Sequence, residues 1–112
     1  MWKDEAYLLD MWLAADKIRR LSRGVTEEAF LAQEMMHYAF AYLIPVIGEA
    51  ARQISVGYRT DHPEIPWQDI VGMRHRLVHD YASTQPKIVW GVVQTDIPAL
   101  LDRLAPLVPP KP

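Results

Sequence analysis

Cysteine is missing from the chain, so neither a disulfide framework nor thiolate chemistry is open to it. A composition without cysteine suits a reducing cytoplasm, which is the expected location. No apolar run is long enough to cross a bilayer. The longest, residues 38–48, falls short of the roughly 20 residues that a membrane helix needs. The start, Met1-Trp2-Lys3-Asp4-Glu5, meets acidic residues at once and has no basic stretch leading into an apolar one, so no secretory signal is expected. A basic excess is missing too: 12 Lys and Arg stand against 14 Asp and Glu, for a net charge of −2. Nucleic-acid binders usually carry a global positive surplus, so any RNA contact here has to come from a local cluster. No segment alternates polar and apolar residues for long enough to argue for a sheet, and there is no internal repeat.

What remains is a globular composition, half hydrophobic and 23% charged over 112 residues. That length suits one domain with a single core. Residues 1–105 are expected to form it. Residues 106–112, with Pro106, Pro109, Pro110 and Pro112, cannot hold a helix or a ladder and read as a loose tail.

The periodicity is helical. Leu8, Met11, Trp12, Ala15 and Ile18 recur at helical spacing across residues 4–23, an amphipathic helix, and Gly24 is its natural stop. Thr26 is placed to cap a second helix, expected over residues 27–54, with Glu27 and Glu28 at the positive end of its dipole. Its middle is apolar almost all round, as in a helix covered on several sides by its own bundle or by a partner chain. Pro45 should kink it. Residues 55–66 read as a loop, Pro66 opens a third helix over 66–81, and a fourth runs over 87–104, bent near Pro98. The expected fold is all-α, a bundle of four or at most five helices with an antiparallel core.

On a wheel of the third helix, Ile70, Val71, Met73, Leu77 and Val78 make one apolar stripe, and Arg74 falls near its middle. Tyr81, seven residues on, lies almost in line with it. A guanidinium in an apolar face must be paired. One reading is a structural ion pair with Glu49 of the second helix. The other is a phosphate-binding arginine in a dimer cleft, where its planar fork suits an oxyanion.

The run Arg74-His75-Arg76-Leu77-Val78-His79-Asp80-Tyr81 fits Arg-x4-His-x-Tyr and resembles the signature of the HepT-like branch of HEPN proteins. Ile47-Gly48-Glu49-Ala50-Ala51 and Ile65-Pro66-Trp67-Gln68-Asp69-Ile70-Val71-Gly72-Met73 resemble the segments that accompany it, and Val89-Trp90 and Asp96-Ile97-Pro98-Ala99-Leu100 resemble the family's last helix. His75 stands where the family often has asparagine. The resemblance implies a HEPN-like bundle and a homodimeric toxin that cuts RNA without metal or other cofactor. Carried over by position, it makes Arg74 the holder of the scissile phosphate and His79 the general acid or base, with His75, Arg76, Asp80 and Glu49 in support. It makes Tyr81 the target of AMP transfer from a partner antitoxin, an MntA-type nucleotidyltransferase.

His75 and His79 are four apart and could share a metal, but Arg76 stands where zinc proteases carry a glutamate, and a cation there disfavours a dication. No metal is expected. His37 and His62 read as structural or solvated, the tryptophans as packing, and Arg52 and Arg59 as possible additions to an RNA track. Two other functions compete: a non-catalytic helical module that binds a nucleotide or substrate and assists a nucleotidyltransferase, and a plain dimeric adaptor with Arg74 locked to Glu49. One difficulty is geometric. Arg74 and His79 are about 140° apart around an ideal helix, so either the helix loosens near its end or two chains share the cleft.

Overall fold

The computed structural model describes residues 2–80 and 86–108, and for Trp2 and residues 74–80 it describes the backbone alone. The described residues are helical, with no strand among them. Helix α1 spans Trp2–Ser22 and ends where Arg23 and Gly24 turn the chain, Gly24 at φ 75°. A side chain strains that left-handed backbone, so glycine is the residue that can stop the helix there.

The single second helix expected over residues 27–54 is two. Helix α2 spans Glu27–Ala32, with the Thr26 hydroxyl accepting from the Ala29 amide at 3.1 Å. Helix α3 spans Glu34–Gln53, and Gln33 between them leaves helical geometry at φ −106° and ψ 89°. The break swings Phe30 inward. Phe30 is fully buried and its ring lies 5.7 Å from Phe40, 4.9 Å from Trp90 and 4.8 Å from His37. The Phe30 carbonyl then meets the Gln33 amide at 3.0 Å and His37 Nε2 at 2.8 Å. Helix α3 continues through Pro45, whose missing N–H leaves the Ala41 carbonyl without a helical donor.

The expected loop over 55–66 holds a further short helix, α4 at Val56–Asp61, capped by Ser55. Helix α5 spans Trp67–Asp80. The fourth expected helix is resolved into α6 at Pro86–Gly91, a π-helical turn at Val92–Asp96 and α7 at Ile97–Leu104. The widening has a cause at Pro98. Its ring cannot sit against the carbonyl four residues back, so the chain takes an i−5 bond instead, with the Ile97 amide reaching Val92 O. After α7 the Leu107 and Val108 amides bond to the Leu104 carbonyl, and both side chains pack against the core.

Helix α3 is central. It packs on α1 and on α5, while α7 packs on α1 and α2 on α6. The core is Leu8, Met11, Ala15 and Ile18 of α1 against Phe40, Ile44, Ile47 and Ala51 of α3, closed by Ile70 and Met73 of α5 and Ile97, Leu100, Leu101 and Leu104 of α7. Each large side chain taken out of water contributes about 1.5–3 kcal/mol. The opposite side of α3 is bare: Met35, Tyr38 and Tyr42 are 82%, 60% and 71% exposed. They fall on one stripe at helical spacing.

Candidate active site

The beginning of α5 is fixed by its neighbours. Ile65 and Trp67 are buried, and the Trp67 indole donates to the His62 carbonyl at 2.9 Å. Tyr58 stacks on His62 at 4.3 Å and meets Trp67 edge-on at 6.4 Å. Burial, with the charges of Asp4 and Glu64 nearby, pushes the Tyr58 hydroxyl above its ordinary value. Ile70 and Met73 then bury themselves, as the apolar stripe predicted.

Beneath this corner lies a polar lock. The Asp4 carboxylate is buried and accepts from the Ser55 amide at 2.9 Å and from the Ser55 hydroxyl at 2.7 Å. The same hydroxyl accepts from the Tyr58 amide at 3.2 Å. Burial alone would raise the Asp4 carboxyl. The two Ser55 bonds outweigh it and hold the group below the usual carboxylate range.

From this anchored start the backbone of α5 stays α-helical through Asp80. Arg74, His75, Arg76, His79 and Asp80 therefore stand on one uninterrupted helix, with Arg74 one turn beyond Ile70. Their side chains lie outside the described residues, and so does Tyr81. Loosening of the helix before His79 is not what the backbone shows. The separation of about 140° between positions 74 and 79 therefore stands.

The other predicted residues sort clearly. Glu49 is half-buried on α3, where its carboxylate accepts from Arg52 Nε at 2.8 Å and Nη2 at 3.3 Å. That pairing raises the Arg52 guanidinium above its ordinary value, so this member of the suggested RNA track is engaged on its own helix. Arg59 has its Nε buried with no hydrogen-bond partner among the described residues. His37 joins α2 to α3 through the Phe30 carbonyl, and His62 lies 3.2 Å from a Glu64 oxygen. His37 thus makes a structural contact, and the contact of His62 is partly exposed. Trp67 and Trp90 are buried in the core.

The periodicity alone did not disclose a groove of about 590 Å³ between α5 and α7. Asp69, Gly72 and Met73 form one wall, and Asp96, Ala99 and Arg103 the other. Buried Ile70 and Leu100 reach its floor. The only sequence signal for it is a glycine in mid-helix, which costs about 0.5–1 kcal/mol relative to alanine. A Cβ built on Gly72 meets nothing within 4 Å among the described residues, so their packing does not demand the glycine.

A helical bundle whose motif helix carries Arg-x4-His on a continuous backbone defines a protein of the HEPN type. The chain belongs to the HepT-like ribonuclease family, whose model matches residues 11–107. It is 33% identical over 101 residues to a Thermococcus cleftensis protein named "Probable ribonuclease HepT", covering 90% of this chain and 92% of the relative. A Methanocaldococcus jannaschii protein named "Putative RNase" is 29% identical over 96 residues, covering 86% and 88%. A protein of the same naming from Caldanaerobacter subterraneus is 32% identical over 78 residues, 70% of each chain. No solved structure is a significant match. No helix among the described residues is long and apolar enough to cross a membrane.

Proposed function

We propose that this HepT-like protein is a cytoplasmic, metal-independent endoribonuclease toxin, with Arg74 and His79 at the scissile phosphate and Tyr81 as its control point. The reading is carried by one observation: in a chain of this family, the Arg-x4-His-x-Tyr run begins on a helix locked at its start and unbroken through Asp80. Arg74 binds the phosphate oxygens and stabilises the charge that grows on them. The ribose 2′-hydroxyl loses its proton and attacks phosphorus, and the bond to the 5′ oxygen breaks. The products are a 2′,3′-cyclic phosphate and a 5′-hydroxyl. His79 takes the first proton or supplies the last, since an imidazole exchanges protons near neutral pH.

The angle between positions 74 and 79 on an unbroken helix supports a homodimer in which each phosphate sees an arginine and a histidine from different copies. The bare stripe of Met35, Tyr38 and Tyr42 is the surface we assign to that second copy. Depletion of water from such a face favours association. His75, Arg76 and Asp80 line the same helix and add to the electrostatics of the cleft.

The partner in this reading is an MntA-type nucleotidyltransferase antitoxin. The Tyr81 oxygen attacks the α-phosphorus of ATP and pyrophosphate leaves, so that AMP is joined to the phenol. A bulky anion seven residues from Arg74 then occupies the phosphate site. The test is incubation of RNA with purified protein in the presence of a chelator. Cleavage to cyclic-phosphate ends that disappears in His79→Ala supports the assignment. Undiminished cleavage by that variant refutes it, and an inert wild type that still binds the nucleotidyltransferase establishes the non-catalytic module.

A further inference from the structure

The geometry points to the α5/α7 groove as a subsite for one nucleobase of the RNA strand, next to the phosphate that is cut. The inference rests on the nuclease reading and adds a substrate contact to it.

The first support is register. Gln68, which also lines the groove, Gly72 and His79 fall on one line of α5. His79 is seven residues past Gly72, two turns or about 10 Å along the axis. The groove and position 79 thus share one face of α5, within the span of a nucleotide whose phosphate lies at His79, while Arg74, about 160° around the helix from Gly72, comes from the second copy of the proposed dimer.

Charge is the second. Asp69 and Asp96 stand on opposite walls. Arg103 shares the second wall, and two carboxylates against one guanidinium leave the described lining net negative, which disfavours the RNA backbone. The carboxylates do accept hydrogen bonds from the N–H groups of a base edge, with the Gln68 amide able both to accept and to donate. The floor of Ile70 and Leu100, with Met73 on the wall, offers an apolar surface to the ring face, as sites that hold unstacked bases do.

Third, Gly72 keeps the space open. Its Cβ would clash with nothing among the described residues, and in mid-helix the glycine is a loss to stability. Gly57 and Gly91 are equally unobstructed, but neither lines this groove. The opposite wall is also small at this point, with exposed Ala99. A volume of about 590 Å³ is within the usual range for small-ligand clefts, about 300–1,000 Å³.

The experiment fills the groove. Gly72→Leu and, separately, Ala99→Leu are made in the full chain and compared with wild type on a short RNA oligonucleotide with a single cleavable step. Melting temperature and oligomeric mass are measured alongside. A Cβ at Gly72 meets no described atom and Ala99 is exposed on the groove wall, so each variant should melt near the wild-type temperature or above it with unchanged mass. KM should rise about tenfold or more, as expected for loss of one base contact, with kcat at saturation little altered. Asp69→Asn should change the preference among the four bases at the position next to the cut. Unchanged KM in both leucine variants overturns the subsite while wild-type cleavage leaves the nuclease reading standing. A change in oligomeric mass overturns it in favour of a protein interface. If wild type cuts no RNA, the nuclease reading has failed, and the subsite with it. If Gly72→Leu alone melts low, Ala99→Leu decides.

Discussion

Asp4 and Ser55, 51 residues apart in the chain, are joined by two hydrogen bonds of 2.9 and 2.7 Å to the two oxygens of one buried carboxylate. The contact ties the first turn of α1 to the junction of α3 and α4, and α4 leads directly into the motif helix. Asp4→Ala removes both bonds and should destabilise the domain by about 1–3 kcal/mol, read from denaturant midpoints with an unchanged slope.

The same carboxylate gives a pH dependence of definite sign. Its folded pKa lies below the unfolded value, so its contribution is complete at neutral pH and drains away as the pH falls below the ordinary range near about 3.9. Asp16, where burial is outweighed by hydrogen bonds from Arg19 and Arg20, acts in the same direction. Thermal melts between neutral and acid pH should show falling stability, and Asp4→Asn should flatten that slope. An identical slope in the variant would assign acid lability elsewhere.

Phe30 is the residue for which α2 breaks from α3. Phe30→Ala leaves a cavity among Phe40, His37 and Trp90 and should cost about 3–5 kcal/mol. The loss should appear as well in the near-ultraviolet signal of Trp90, whose ring lies 4.9 Å away.

Arg74→Lys keeps the charge but loses the two-pronged donor set. Its cleavage rate should fall well below wild type, and His79→Ala should fall by about 100-fold or more, both with native melting temperatures. Equal activity of the lysine variant would mean that a point charge suffices.

Tyr81→Phe should cut RNA as wild type does and should gain no AMP when expressed with a nucleotidyltransferase antitoxin. Intact-mass measurement reads the result. AMP appearing on the phenylalanine variant would move the modified residue.

Local chemistry explains which features could be read from the chain. Gly24 and Thr26 act on their own backbone neighbours, and both marked a helix end where the structure has one. The burial of Ile70 and Met73 followed from spacing alone. Helix α4 did not show, because Gly57 and Pro63 suggest a loop and its cap, Ser55, is held by a residue at the other end of the sequence. The break at Gln33 was invisible for the same reason: it is set by the aromatic cluster around Phe30, which draws on α3 and α6. As for the site, the motif was legible as a pattern. The groove beside it arises where α5 and α7 stand apart, a relation between helices that no periodicity encodes.

The uncovered tyrosines of α3 carry a quantitative corollary. A cleft completed only by pairing through that face forms in proportion to the square of the number of molecules present. In the proposed dimer, copies well below the dissociation constant would stay mostly unpaired, and activity would rise more steeply than the amount of protein. On the proposed dimeric reading, dosage itself would act as a trigger.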